Sequence, residues 1–339
     1  MDVRQEALAR WAAETLNIDW VELTMVSGDA SFRRYFRFEQ AGKSWIAMDA
    51  PPKQEDSHGF VAIAKYWRRN HIATPEIYAV DLTLGFLLLS DFGDGLLLAE
   101  LQPENPQPQA GERYYTCAME TLLRIQNLGP DPDYVLPGYD EALLHQEMEL
   151  FRQWLLESKL GLSLNTHDHA LLDHSFNELA ESALAQPQVP VHRDFHTRNL
   201  MVLANGELGV LDFQDAVQGP ITYDLVSLLR DCYIVWPDSE VDLWCQQYYS
   251  MAWSNGLTDS DFSQFKAWFD WMGMQRHLKA AGIFARLSLR DGKHTYLNDI
   301  PRTVDYIVRI SARYPDLQAF NEWLESKVVP LLKDLDALQ

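Results

Sequence analysis

Apolar residues recur at helical spacing from the start of the chain, where Leu8, Trp11, Ala12 and Thr15 or Leu16 fall near one stripe, so an amphipathic helix is expected first. The period then changes to two. In residues 32–38, FRRYFRF, Phe32, Arg34, Phe36 and Phe38 share one side while Arg33, Tyr35 and Arg37 share the other, the alternation of a strand. KSWIAMDAP reads as its hairpin partner, reached through the turn QAGK and stopped by Pro51 and Pro52, because proline cannot donate to a sheet ladder. A helix near 57–70, short strands near 77–80 and 86–89, and the glycine-broken run SDFGDG follow. After Gly95 long helical periods dominate, as in RYYTCAMETLLRIQNL and ALLHQEMELFRQWLLESKL, with QPENPQPQAG read as a surface loop.

The second half is helical except for one island. PVHRDFHTRNLMVLANGELGVLDFQDA holds two apolar runs, 200–203 and 208–213, separated by Asn205-Gly206, a strong signal for a two-residue hairpin. Helical periods resume from Tyr223, and neither an internal repeat nor a low-complexity tract occurs. The change of period near 91–95 is the natural hinge. These patterns predict an α+β protein with a small antiparallel-sheet lobe over 1–92 and a larger, mainly helical lobe over 93–339.

The island carries the candidate chemistry. Asp194 and Asn199 lie five apart on a loop before a short strand, and Asp212 stands thirteen further on, at the far end of the hairpin. Phosphoryl transfer in the kinase architecture needs three such groups: a carboxylate near the acceptor hydroxyl, and an amide oxygen plus a second carboxylate that hold magnesium against nucleotide phosphates. Hard oxygen ligands suit that metal. Each residue alone has a plainer use: Asp194 capping a turn, Asn199 in a left-handed position, Asp212 pairing with an arginine. Jointly, H-x-D-x-x-x-x-N followed by a hairpin and an apolar D-F is long enough to be specific. The same letters contain a rival, since His192, Asp194 and His196 alternate as H-x-D-x-H and read as transition-metal ligands of a hydrolase. That reading leaves Asn199 and the hairpin to Asp212 unexplained, and His192 fits equally a loop-ordering residue bonded to backbone. His196 and Arg198 either line an acceptor pocket or face solvent.

Charge narrows the partners. With 28 Lys and Arg against 49 Asp and Glu, the formal charge is −21, which repels nucleic acid and anionic lipid surfaces. At 47% hydrophobic the chain has ample core material, and its length predicts about two domains. No basic leader with an apolar run and no spanning segment is present, so a cytoplasmic protein is expected. Cys117, Cys232 and Cys245 lack C-x-x-C spacing and give neither a disulfide framework nor a thiolate zinc site. No obligate protein partner is implied.

VHRDFHTRNLMV with GVLDFQDA resembles the catalytic loop and magnesium-binding segment of the aminoglycoside phosphotransferase superfamily, the small-molecule branch of the protein-kinase-like fold. The resemblance implies that fold, with Asp194 as catalytic base, Asn199 and Asp212 as Mg2+ ligands, and ATP as co-substrate. The protein-kinase branch itself fits poorly: Asp224 follows Asp212 by only twelve residues, too few for a regulated activation loop, and no A-P-E follows. In QGPITYDLVSLL, similar to the small-molecule kinases, Asp224 is implied to cap or anchor a helix beneath the loop. SGDASFRRYFRF resembles the superfamily's nucleotide-binding loop, in which Ser27, Gly28, Asp29 and Ser31 bring backbone N–H groups toward phosphate. A departure follows: Met48 stands where the fold's third-strand lysine is expected. Arg33, Arg34 and Arg37 are candidates to replace it, because a guanidinium grips phosphate bidentately, although exposed strand charges fit as well. Glu55, the acid such a lysine pairs with, and Asp49 stay unassigned. Ser90, Asp91 and Phe92 are implied to present backbone groups to the adenine edge.

The acceptor is the open question. In WMGMQRHLKAAGIFARLSLRDGK, Arg276, Lys279, Arg286 and Arg290 fall within about 80° on a helical wheel, a basic stripe or a plain solvated face. GDASFRRYFRF, AMDAPP, HRDFHTRNLMV, LDFQDAVQGPITYDLVSLLRD and RHLKAAGIFARL together resemble the bacterial N-acetylmuramate/N-acetylglucosamine anomeric kinases over about residues 27–290. That resemblance implies a free amino sugar phosphorylated at C1 in cell-wall recycling, tolerance of Met48, and a cation such as Arg276 or Arg286 for the lactyl carboxylate of N-acetylmuramate. Aminoglycoside, choline and homoserine kinases would keep the same three residues with another acceptor. Trp236, Trp268 and Trp271 are possible sugar platforms and as readily core.

Overall fold

Asp2 caps α1 (Val3–Leu16) by accepting the Gln5 N–H, and Asn17 closes it in the left-handed region. The structure, a computed structural model, describes residues 2–27, 32–102 and 108–336. Past α1 come β1 (Thr24–Ser27), β2 (Arg34–Gln40), β3 (Lys43–Asp49), α2 (His58–Arg69), β4 (Ile77–Asp81) and β5 (Phe86–Ser90). The strands form one antiparallel sheet in the order β1-β2-β3-β5-β4. Strands β2 and β3 pair from Arg34 opposite Asp49 to Gln40 opposite Lys43, and Ala41 and Gly42 between them both have positive φ, as a two-residue hairpin turn requires. Alternation decides which side is dry: Phe36 and Phe38 pack with Ala47, Phe86 and Leu88 against Leu8, Ala9, Ala12 and Ala13 of α1.

The chain continues through α3 (Leu97–Glu100), α4 (Pro108–Gln126), α5 (Glu141–Leu150), which runs into a π-helical segment over Phe151–Lys159, and α6 (Thr166–Leu184). Four short strands follow, β6 (Gln188–Val191), β7 (Leu200–Val202), β8 (Leu208–Val210) and β9 (Val217–Pro220), then α7 (Tyr223–Leu229), α8 (Asp238–Ser254), α9 (Phe262–Asp291) and α10 (Ile300–Ser311). No described helix is long and apolar enough to cross a membrane. The expected loop over QPENPQPQAG falls partly outside the described residues, and α4 already begins at Pro108.

The residues group into two compact units: Met1–Glu100 with Leu128–Leu136 and Arg198–Ala216, and Leu101–Asn127 with Pro137–Thr197 and Val217–Gln339. In the first, the β7–β8 hairpin is tied down by Val202 N–H on the Gly95 carbonyl at 2.6 Å and Val210 N–H on the Ala73 carbonyl at 2.7 Å, and Phe213 stacks on Phe60 of α2. β8 ends at Val210, short of the expected 213, because Asp212 turns into positive φ. In the second, the thirty-residue α9 packs against α5, the π-helical segment, α6, α7 and α10. Gly282 lets α9 approach so closely that a Cβ there would lie 2.3 Å from the Leu150 carbonyl carbon. This contact sits where the helix widens from α to π.

Candidate active site

The loop bearing Asp194 begins where β6 ends, in the second unit. Asp224, expected to cap or anchor its helix, does not cap it but ties it to the loop: its two oxygens accept the backbone N–H groups of His192 at 2.6 Å and Arg193 at 3.0 Å, and the cap position of α7 is Thr222, with no side-chain cap. Arg193 has φ +77, a conformation that a non-glycine residue holds only when its surroundings fix it. Burial pushes the Asp224 carboxyl up to about 6, against the lowering effect of His192 and the two backbone donors. The Asp194 N–H donates to His192 Nδ1 at 3.2 Å, so the buried His192 ring orders the loop. Among the described residues no three His, Cys, Asp or Glu gather as a metal-holding group, and the H-x-D-x-H hydrolase reading loses its support. Downstream, Asp231 fastens the loop's end by accepting the Thr197 N–H at 3.0 Å and its hydroxyl at 2.5 Å.

Cations surround Asp194. Burial alone would raise its pKa, but Lys279 above all, with His196 and Arg276 behind it, holds the carboxyl down to about 2. Burial likewise opposes the Lys279 ammonium, and Glu147 and Tyr223 outweigh it. Lys279 lies 3.1 Å from Glu147 and donates to the Tyr223 hydroxyl at 2.9 Å. Arg276, only 6% exposed, reaches the Cys232 sulfur at 3.9 Å. The expectation of a basic helix stripe is thus corrected in part. Arg276 and Lys279 are buried because neighbouring helices pack around α9, Arg286 is half-buried beside Arg290, and exposed Arg290 pairs with Asp291. His196 is driven toward its neutral form by burial, and its Nδ1 is sealed without a hydrogen-bond partner. Trp236 and Trp268 are core residues, Trp236 donating to the Tyr115 hydroxyl, whereas Trp271 stands half-buried against Tyr314.

The first unit assembles a second group. Asn199 and Asp212 are brought together by the hairpin, since the Leu211 N–H donates to the Asn199 carbonyl at 2.9 Å. Asp212 is 46% exposed, and its Oδ1 accepts the Gln214 amide at 2.9 Å. Their amide and carboxylate oxygens are hard donors of the kind magnesium takes, with water and phosphate oxygens completing the shell, so the residues fit that ion. Arg33 lies 3.3 Å from Glu55, 4.0 Å from Asp212 and 3.8 Å from Asp215. Glu55 also accepts the Phe32 N–H at 3.0 Å. The other two arginines are committed elsewhere. Arg34 is paired with Asp2 and Asp49, and Asp49, fully buried and also held by Arg4, is thereby a structural acid. Arg37 is paired with Asp91 and Asp94. Met48 is buried in the sheet.

At the end of β5, the Ser90 N–H donates to the Glu76 carbonyl and the Ser90 hydroxyl oxygen accepts the Glu76 N–H, both at 2.9 Å. The Asp91 carboxylate takes Arg37, the Ser44 hydroxyl and the Gly93 N–H, and the Phe92 ring packs where Gly209 has no side chain. Gly28, Asp29 and Ser31 lie outside the described residues, as does the side chain of Ser27, while Arg198 is half-buried at the start of the hairpin segment. Sequence reasoning missed Glu147 and Asp231; a lone acid in a helical run gives no signal of what it holds.

The phosphotransferase enzyme family matches residues 22–258. The chain is 42% identical over 332 residues to an N-acetylmuramate/N-acetylglucosamine kinase of Pseudomonas putida, covering 95% of this chain and 96% of that one. Among solved structures it is similar to the choline kinase LicA from Streptococcus pneumoniae, with TM-score 0.63 at 12% identity over 91% of this chain and 99% of that one. It is also similar to the ADP-bound aminoglycoside phosphotransferase APH(2'')-Ib, with TM-score 0.59 at 13% identity over the same shares. These likenesses and the sheet-plus-helix architecture make the fold α+β and protein-kinase-like, as the island's motif implied.

Proposed function

The chain belongs to the phosphotransferase enzyme family, and from that membership we propose that it transfers the terminal phosphoryl group of ATP to the anomeric C1 hydroxyl of N-acetylmuramate and N-acetylglucosamine. The products are the sugar 1-phosphate and ADP, and the hydroxyl proton is released. Such a product enters cytoplasmic cell-wall recycling toward nucleotide-sugar synthesis. The near full-length 42% identity to a kinase of that name carries the choice of acceptor.

Asp194 supplies the chemistry on the acceptor side. A carboxyl held down to about 2 is ionised at neutral pH and a weak base, so its work is to accept a hydrogen bond from the acceptor hydroxyl and hold the oxygen in line. The proton moves late, once the oxygen has begun to bond to phosphorus, which suits the loose transition state of phosphoryl transfer. Asn199 and Asp212 would hold Mg2+, which neutralises phosphate charge when bound. Arg33 takes the place of the missing strand lysine: of the three candidate arginines it is the one near Asp212, and Glu55 steadies it as an acid steadies the usual lysine. Arg276 is the better placed of the two cations considered for the lactyl carboxylate, because it acts on Asp194, whereas Arg286 interacts with Arg290 and Asp291.

The reading is tested by coupled ADP release with ATP and magnesium over free amino sugars, aminoglycosides and choline, with the product's phosphate located by NMR. Phosphate on C1 of N-acetylmuramate is expected. Turnover of choline or kanamycin with none of N-acetylmuramate overturns it.

A further inference from the structure

Two buried carboxylates support the loop that carries Asp194. Asp224 holds its backbone; Glu147, on α5, holds side chains. One Glu147 oxygen takes the Arg193 guanidinium and lies 3.1 Å from the Lys279 ammonium. The other accepts the Tyr139 hydroxyl and the Gln275 amide, the latter at 3.3 Å. Gln275 also donates to the Tyr139 hydroxyl at 3.0 Å, and Lys279 to that of Tyr223 at 2.9 Å. A buried carboxylate with every direction engaged is a rigid point, because a buried charge left partly unpaired is strongly unfavourable.

What Glu147 grips is specific. Arg193 precedes Asp194 in the chain and sits at φ +77, so whatever fixes its side chain helps fix the direction in which the loop continues to Asp194. Lys279 is the foremost of the charges that keep Asp194 ionised. Glu147 therefore controls both the backbone approach to Asp194 and its principal counter-charge.

We propose that Glu147 is the positioning residue of the catalytic loop: by gripping Arg193 and Lys279 at once, it sets where the Asp194 carboxylate stands toward the acceptor hydroxyl. The inference rests on the phosphotransferase reading of Asp194, not on which alcohol is the acceptor. Glu147→Gln keeps the size and the bonds to Tyr139 and Gln275 and removes the charge. It should lower kcat by about 10²-fold, the cost of a misplaced reacting group, while KM for ATP and acceptor stays within about twofold. In an Asp194→Asn background the same change should cost less than about twofold more, since no carboxylate remains to be aimed. Arg193→Met, which cuts the link to the loop and leaves Glu147 with Lys279, Tyr139 and Gln275, should reproduce the kcat loss and decides the matter if Glu147→Gln does not fold. Parental kcat in either folded variant, or a loss that multiplies fully with that of Asp194→Asn, overturns the proposal. If the parent protein phosphorylates another alcohol and not N-acetylmuramate, the variants are run on that alcohol and only the acceptor reading fails. A parent inactive on every alcohol overturns both.

Discussion

Replacing Asp194 by asparagine keeps its shape and removes one charge, and the surroundings of that charge set two separate outcomes. Lys279 above all, then His196 and Arg276, outweigh the effect of burial and bring the carboxyl from 3.8 to about 2. At about 1.4 kcal/mol per tenfold change in proton affinity, this is about 2 kcal/mol of net attraction in the folded state. The folded value lies below the unfolded one, so this stability is present above the ordinary carboxylate range and lost as the pH falls through about 2. Asparagine lacks it at every pH. Urea denaturation should therefore find the variant less stable by about 2 kcal/mol at pH 7, the gap narrowing to about 1 kcal/mol at pH 3. Turnover should fall by about 10²–10⁴, the usual share of a group that orients and accepts a proton, with ATP affinity by calorimetry unchanged within about twofold. Active-site acids often gain stability when neutralised, and a variant more stable than the parent at pH 7 would show that the cations do not offset burial. Turnover within tenfold of the parent would remove Asp194 from the acceptor site.

Three further variants probe the parts around it. Arg33→Met should lower kcat/KM for ATP by about 10–100-fold, the worth of a charge-assisted phosphate contact, whereas Arg34→Met, which frees the fully buried Asp49 of one partner, should chiefly lower the melting temperature; equal kinetic losses from both would deny Arg33 its distinct place. Gly282→Ala forces a methyl against the Leu150 backbone and should cost about 2 kcal/mol or more in thermal unfolding, and an unchanged melting curve would mean that α9 can move off α5 without loss.

The sequence makes local features legible and leaves contacts between distant segments hidden. The β2–β3 hairpin can be read because period-two alternation and the Ala41-Gly42 turn are both local. Asp194, Asn199 and Asp212 can be singled out because their spacing is local, and the Leu211–Asn199 hydrogen bond shows why the hairpin keeps the last two together. A helical wheel of α9 gives the direction of Arg276 and Lys279 but not what packs on that side, so a buried pair reads like a solvated stripe. Glu147 is hidden for the same reason. In EALLHQEMELFRQWLLESK it is one acid among several, and nothing local separates it from the exposed Glu141 and Glu157.

The net charge of −21 follows the same logic. It describes the average surface and says nothing of the cations facing Asp194 and Asp212, which are few and of which two are held by a named acid: Lys279 by Glu147, Arg33 by Glu55. Pairing a cation with an acid beside an anion-binding site weakens its pull on phosphate but fixes its position, and phosphoryl transfer depends on position more than on raw charge. An acidic protein can therefore handle an anionic co-substrate, provided its few site cations are immobile; loosening their acids should reduce turnover more than affinity.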